Sequence, residues 1–412
     1  MRASPSAGGG GIAAAVRYLI PLRCARLLTL LAAAFMGLPA HALMPASGSD
    51  PVVPGVPPAA AAPVAMLVDV SSGQVLHARN PDSRFMPASV TKVMTLYLAF
   101  ELIEAGKLDP AQVFAMSPVI AREWRRKGST MFLDAGEQVR VDDLLIGIAN
   151  VSANDGAAVL AAGQAGSVAA WTADMNRTAR ALGMTGSHFG TPNGWPDEGR
   201  TFTTARDLVA LAHAMIARHP DKFGYYVGRV GFDYKGIAQI NHDPMIGRVA
   251  GADGIKTGFT NESGFSYLGT AQRGGQRLVL VLAGVENGRL RARLARSYIE
   301  WGFTAFDRRH LFAPGDVVGT ALVQNGSALR VGLVARAPIA INLPRGNSSE
   351  LTATIRYDGP LRAPLAAGEQ VAMLDITAPG MAPASVPMFT TEAVGTAGPL
   401  DRIVNAIAGL FS

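Results

Sequence analysis

The sequence predicts an α/β (α+β) domain followed by a small all-β domain, and three observations carry that prediction. Ala/Leu-rich helical stretches dominate the chain between about residues 89 and 225. Strand-like runs flank them on both sides, at 64–78 and again at 263–285. Beyond residue 311 the texture changes to short β-branched segments split by Gly and Pro, the pattern of an all-β unit. A length of 412 residues allows two or three domains of roughly 150 residues each. With 49% hydrophobic residues, most of the chain should fold despite its 26 prolines.

Residues 1–42 read as a secretory signal. Arg17, Arg23 and Arg26 form a positive flank, 27–38 (LLTLLAAAFMGL) is an apolar run, and Ala40-His41-Ala42 is a small-x-small cleavage pattern. The alternative, a transmembrane anchor, needs roughly 20 apolar residues, more than this run supplies. Cleavage after Ala42 removes four arginines and the single cysteine, Cys24. The formal charge then falls from +6 to +2, and no thiol is left for disulfides or zinc. The basic residues form no long cluster, so nucleic acid is not an expected partner.

Residues 43–63, rich in Ala, Pro, Gly and Val, read as an extended linker. VAMLVDV at 64–70, the Ser-Ser-Gly turn at 71–73 and QVLHA at 74–78 predict a β-hairpin. Further strands are expected at 263–272 and 277–285, then a helix around Leu290–Trp301. The tail should hold strands at 317–323, 329–335, 339–343, 351–357 and 370–376. The boundaries that follow are a catalytic domain over 64–310, a β-rich domain over 311–395 and an amphipathic helix over 396–412. That last helix rests on Ile403, Val404, Ile407, Leu410 and Phe411 at helical spacing. It has one arginine and one aspartate, so any membrane attachment through it should be weak and peripheral.

Three motifs carry the chemistry. Pro87-Ala88-Ser89-Val90-Thr91-Lys92 places Ser89 and Lys92 one turn apart on one helix face, at a helix start that favours developing negative charge. A serine hydroxyl needs a neighbouring base, and lysine can serve only if its pKa falls well below about 10.4. The same four residues would also suit an N-cap serine followed by a solvated lysine. Ser152-Ala153-Asn154 offers a hydroxyl to relay a proton and an amide to hold a carbonyl or the lysine. Asp253 to Phe259, ahead of a glycine-punctuated strand, contains Lys256-Thr257-Gly258. Lys256 could depress the pKa of Lys92 and attract an anionic group, Thr257 adds a donor, and Gly258 would let a substrate backbone approach. Each of the latter two also fits an ordinary loop or turn. Their order in an exported chain weighs against coincidence, because Ser-x-x-Lys, Ser-x-Asn and Lys-Thr-Gly together mark penicillin-binding proteins and serine β-lactamases. Only six of the 37 basic residues are lysine, and two of them fall in these motifs, where arginine could not serve as a base.

From about residue 64 onward the chain resembles the D-alanyl-D-alanine carboxypeptidases, low-molecular-mass penicillin-binding proteins of the serine β-lactamase/DD-peptidase-like fold. The likeness rests on 67–80 (LVDVSSGQVLHARN), the three motifs, SANDGAAVLA at 152–161, TPNGWPDEGRTFTTARDLVALA at 191–212, and DGIKTGFTNESGFS at 253–266. It implies Ser89 as nucleophile, Lys92 as its base, Ser152 as relay, Asn154 as a positioning group, and Lys256 with Thr257 as the carboxylate anchor. Backbone N–H groups of Ser89 and Phe259 would form the oxyanion hole, beside Gly258. It implies no cofactor and no metal. Peptidoglycan stem peptides would be the substrate and β-lactams covalent inhibitors, acting in the periplasm or on the outer face of the cytoplasmic membrane.

Two departures stand out. Phe259 occupies a position where the family often has histidine. The stretch Asn241-His242-Asp243-Pro244 lacks an arginine common in the family, leaving Lys256 alone or Arg248 to take its part. Rival readings are a peptidoglycan endopeptidase, a β-lactamase using Glu198, and a non-catalytic wall-binding protein. The scattered histidines and the lack of His-Glu-x-x-His give no case for zinc hydrolysis. Asp207 is expected to support local structure.

Overall fold

The computed structural model describes residues 55–57, 61–346, 351–379 and 381–399. The expected signal segment and nearly all of the expected C-terminal helix lie outside these residues, as does most of the expected linker. The described part of that linker is not free: Ala62 is fully buried, and the Pro57 carbonyl accepts a hydrogen bond from Tyr298.

The chain opens with a hairpin, β1 (Val64–Asp69) and β2 (Gln74–Arg79), as the Ser-Ser-Gly turn predicts. A single 3-10 turn (Ala88–Thr91) leads into α1 (Lys92–Glu104), where every residue from Lys92 to Phe100 is buried. A helix apolar on all sides belongs in a core, and α1 packs among helices on several sides. There follow β3 (Val113–Ala115), α2 (Pro118–Trp124), β4 (Gln138–Arg140), α3 (Val141–Asn150), α4 (Asn154–Ala165) and α5 (Val168–Ala181). Next come α6 (Ala205–Arg218), α7 (Pro220–Tyr226) and a small hairpin, β5 (Gly231–Tyr234) with β6 (Ile237–Ile240). Ser117, Ser167 and Thr204 start α2, α5 and α6 by accepting an N–H with their hydroxyls, which satisfies donors a helix start leaves open.

The domain closes with β7 (Ala252–Thr260), β8 (Gly264–Arg273), β9 (Gln276–Val285) and α8 (Gly288–Thr304). One antiparallel sheet results, in the order β2-β1-β9-β8-β7, with β7 at its edge. Lys256-Thr257-Gly258 therefore lies inside an edge strand rather than ahead of a strand. Successive side chains of a strand point to opposite faces, and β9 divides accordingly. Val279, Val281 and Ala283 join the helical core, while Leu278, Leu280 and Leu282 face α8 and the second domain. Coverage on both faces explains why 277–285 reads as a continuous apolar run.

The second domain begins with β10 (Phe306–Phe312) and continues through β11 (Val317–Gln324), β12 (Arg330–Val334), β13 (Ile339–Pro344) and β14 (Thr352–Arg356). β15 (Leu361–Arg362), β16 (Gln370–Thr377) and β17 (Ala384–Thr390) complete it. Six of these form a sheet in the order β14-β16-β17-β12-β11-β15, and β10 pairs separately with β13. The fold is thus a mixed α/β domain followed by an all-β domain.

A buried polar cluster joins the two domains. Asn342 on β13 donates from its backbone N–H to Gln74 Oε1 at 2.8 Å, and its carbonyl accepts from Gln74 Nε2 at 2.9 Å. Asn342 Nδ2 donates to Asp69 Oδ2 at 2.6 Å, Gln276 Nε2 donates to the same oxygen at 3.2 Å, and Arg308 on β10 forms an ion pair with it. Asp69, Gln74 and Asn342 are completely buried. Removing one member of such a set leaves the others desolvated and unpaired. Asp69→Ala should therefore destabilise the protein by about 3 kcal/mol. Denaturant unfolding with probes in each domain would read this, and an unchanged midpoint would refute the clamp.

Candidate active site

The turn before α1 sets the site. Ala88 has φ +50°, an uncommon conformation for a residue with a side chain, and the 3-10 turn runs from it to Thr91. In a 3-10 turn the side chains at i and i+3 eclipse one another. Ser89 and Lys92 thus meet, with Oγ and Nζ 2.8 Å apart. The expected pairing is present, made by a 3-10 turn rather than an α-helical one.

Two further oxygens surround Nζ: Asn154 Oδ1 at 2.7 Å and the Asn193 carbonyl at 2.8 Å. The orientation of Asn154 follows from its other end, where Nδ2 donates to the Lys127 carbonyl at 3.0 Å. Asn154 begins α4, two residues after Ser152, which has φ +63°. The Asn193 carbonyl comes from a turn, 191–194, in which Thr191 Oγ1 accepts the Gly194 N–H at 3.0 Å. Thr95 on α1 donates to the Pro192 carbonyl at 2.6 Å and so ties the turn to the helix bearing Lys92. Gly194 has φ +75°, and a Cβ there would lie 1.8 Å from the Ala88 carbonyl oxygen. Only glycine fits between this turn and the nucleophile turn.

A cleft of about 690 Å³ opens above Ser89. Ser152, Asn154 and Asn193 line one part of it, and Thr257, Gly258 and Phe259 on the sheet edge line another. Gly128, Ser129, Trp195, Asn261, His242 and Arg291 also contribute. The predicted residues therefore converge, with distinctions. Lys92 and Lys256 are buried beneath the cleft surface rather than lining it. Ser152 lines the cleft, yet among the described residues its hydroxyl bonds to neither Ser89 nor Lys92. Gly258 is required for a reason other than substrate approach: a Cβ would fall 2.4 Å from Ser266 Oγ and 2.5 Å from the Pro87 carbonyl oxygen. Glycine here brings the sheet edge against the nucleophile turn.

Arg248 does not take the place of the missing arginine, because it is exposed and lies off the cleft. Arg291 on α8 lines it, with a buried Nε that has no protein partner and a guanidinium 5.6 Å from the ring of Phe265. Phe265 stacks on Phe259 at 4.2 Å between ring centroids. Arg291 belonged to no motif, and Asn193 acts through a backbone carbonyl. The Asn-Gly pair of the turn was the only sequence signal of the latter.

The electrostatics follow from burial. Lys92 is held well below the usual lysine range, first by desolvation and then by the charge of Lys256, with Asp155 opposing. Lys256 is pushed down to about 7 by burial and by Arg291, with Asp243 opposing. No carboxylate lines the cleft among the described residues. Glu198 is exposed away from it, and Asp197 is engaged with Thr201. A water-activating glutamate of the β-lactamase kind is thus not found there. Asp207 accepts hydrogen bonds from Gly186 and Ser187 and supports local structure. Among the described residues no His/Cys/Asp/Glu group is arranged to hold a metal.

Comparisons with known proteins give the family and the fold. Residues 52–287 match the D-alanyl-D-alanine carboxypeptidase family, and 306–396 match the family described as penicillin-binding protein 5, C-terminal domain. The chain is 30% identical to the D-alanyl-D-alanine carboxypeptidase DacA of Haemophilus influenzae, over 86% of this chain and 92% of that one. It is 32% identical to the D-alanyl-D-alanine carboxypeptidase DacC of Escherichia coli, over 82% and 85% respectively. Among solved structures, penicillin-binding protein 5 of Haemophilus influenzae superposes with a TM-score of 0.72 at 30% identity, covering 82% of this chain and 99% of that one. The ampicillin-bound penicillin-binding protein D2 of Listeria monocytogenes superposes at 0.54 and 27% identity, covering 59% and 98%.

The coupling between the two lysines is testable without turnover. Lys256→Met removes a charge that disfavours the ammonium of Lys92, so the pKa of Lys92 should rise. NMR titration of labelled lysine side chains would read the shift, and an unmoved Lys92 would disprove the coupling.

Proposed function

The chain belongs to the D-alanyl-D-alanine carboxypeptidase family, and we propose that it removes the terminal D-alanine of peptidoglycan stem peptides through an acyl-enzyme on Ser89. The surroundings of Lys92 carry this reading. A neutral amine has two N–H donors and one lone pair. Asn154 Oδ1 and the Asn193 carbonyl can take the two donors, which directs the lone pair to Ser89 Oγ at 2.8 Å. Burial and Lys256 keep the amine available as a base at moderate pH.

In this scheme Ser89 attacks the penultimate carbonyl while Lys92 takes its proton. Backbone N–H groups of Ser89 and Phe259 hold the oxyanion, and Asn154 keeps the amine oriented. The tetrahedral intermediate collapses as the D-alanine nitrogen receives the proton that Lys92 took from Ser89. Water then attacks the ester, Lys92 again removing a proton, and Ser89 regains its hydrogen as the shortened peptide leaves. Thr257 and Arg291 meet the terminal carboxylate at the cleft surface, with the charge of Lys256 behind them.

β-Lactams present a carboxylate and a strained amide and should acylate the same serine. An ampicillin-bound relative of the same fold supports this. Intact-mass analysis after penicillin exposure should show one adduct on the native enzyme and none on Ser89→Ala. No adduct on the native enzyme, or an equal adduct on the mutant, refutes the mechanism. Release of D-alanine from purified stem peptides, compared with cleavage of crosslinked dimers, separates carboxypeptidase from endopeptidase action.

The substrate's position outside the cytoplasmic membrane and the pattern of residues 1–42 support export with cleavage after Ala42. N-terminal sequencing of the exported protein should therefore begin at Leu43. A mature chain that retains Met1 would exclude cleavage.

A further inference from the structure

His242 lies on a loop fixed on both sides. Before it, Asn241 Nδ2 donates to the Arg229 carbonyl at 2.7 Å and to Asn150 Oδ1 at 3.1 Å. After it, Asp243 accepts from the Tyr267 hydroxyl at 2.9 Å and from the Met245 N–H at 2.8 Å. Within this anchored loop, His242 is the residue that lines the cleft, and its ring nitrogens have no protein hydrogen-bond partner among the described residues. It keeps contact with solvent at the cleft mouth.

The titratable groups facing it are basic. Lys256 on β7, Arg291 on α8 and Lys92 on α1 each oppose its protonation, after partial desolvation at the cleft wall. The acid beside it in the chain, Asp243, is engaged by Tyr267 and backbone N–H groups. Arg291 also brings a buried, unpartnered Nε to the same cleft. His242 and Arg291 thus bring unpartnered nitrogens to a cleft whose lining holds no carboxylate among the described residues.

Resting on the carboxypeptidase reading, we infer that His242 is a substrate-binding residue, a proton-dependent contact to the terminal carboxylate beside Arg291. In the free protein partial desolvation, followed by the neighbouring basic groups, keeps the imidazole neutral to a lower pH than an isolated histidine. A bound carboxylate reverses that balance and draws a proton onto the ring. Carboxylate affinity then carries a full contribution from His242 below its free pKa and loses it as pH rises through its bound pKa. An arginine in its place would give a fixed charge and no such dependence.

Binding separates this from catalysis. The full chain carrying Ser89→Ala is titrated with an N-acylated peptide ending in D-Ala-D-Ala, and with its C-terminal amide, between about pH 5 and pH 8, where the peptide carboxylate stays ionised. The carboxylate peptide should lose about tenfold more affinity across this range with His242 present than with His242→Gln, the difference between charged and neutral hydrogen bonds. Lys256 contributes a limb near neutrality that is common to both proteins. His242→Arg should bind tightly with only the Lys256 limb remaining. The His242 imidazole pKa, read by NMR in the same Ser89→Ala protein, should rise on adding the carboxylate peptide and stay put with the amide. Equal pH dependence with His242 and with His242→Gln, or an imidazole pKa indifferent to the carboxylate peptide, overturns the inference and leaves the carboxypeptidase reading standing. Failure to distinguish carboxylate from amide at any pH overturns both.

Discussion

A lysine side chain withdrawn from water loses the hydration that keeps it charged, and the active cleft is organised around that loss. Lys92 has no accessible surface, and its nitrogen is surrounded by Ser89, Asn154 and the Asn193 carbonyl. Two of these are acceptors and the third is a hydroxyl that can donate. A neutral amine can satisfy that set completely, so burial and hydrogen bonding favour the same protonation state near the serine. Each partner is fixed from its far side, Asn154 by the Lys127 carbonyl and the 191–194 turn by Thr95. Lys92 itself sits at the first residue of a helix that is buried without interruption as far as Phe100.

Close backbone approach provides the remaining geometry. Gly194 admits the 191–194 turn against Ala88, and Gly258 admits the sheet edge against Pro87. The nucleophile turn is thereby held between a loop and a strand that are distant in sequence. Through β7 the same approach brings Lys256 near enough to act on Lys92, while α8 returns across the sheet with Arg291. Basic groups gathered at a cleft whose lining holds no carboxylate among the described residues create the field that an anionic substrate end would enter.

The second domain attaches at the opposite edge of the catalytic sheet from β7. Gln74 bonds both the N–H and the carbonyl of Asn342, as a neighbouring strand would, and Asp69 collects the donors that remain. A desolvated polar cluster of this kind tolerates few alternative arrangements, because any shift strands a buried donor or acceptor. The join is therefore specific in orientation, away from the cleft.

Much of this was legible in the residues. The hairpin at 64–79, the strands at 264–285 and most strands of the tail follow from period-2 patterns and turn residues, which are local properties. The small hairpins β3/β4 and β5/β6 are too short to show a period, and Pro387 inside β17 argues against a strand there. Ser89, Lys92, Ser152, Asn154 and the Lys-Thr-Gly triplet stood out because the chemistry calls for those side chains at short spacing. The Asn193 carbonyl could not, since every residue has one, nor could the role of Arg291 among 31 arginines. The purpose of Gly258 also depended on knowing that Pro87 lies beside it. By itself the sequence determined which groups can perform the reaction, since side-chain chemistry is a property of the residue. Only the tertiary structure decided which of them are buried, which are near one another and which face the cleft, because solvation and Coulomb interactions depend on distance in space and not along the chain.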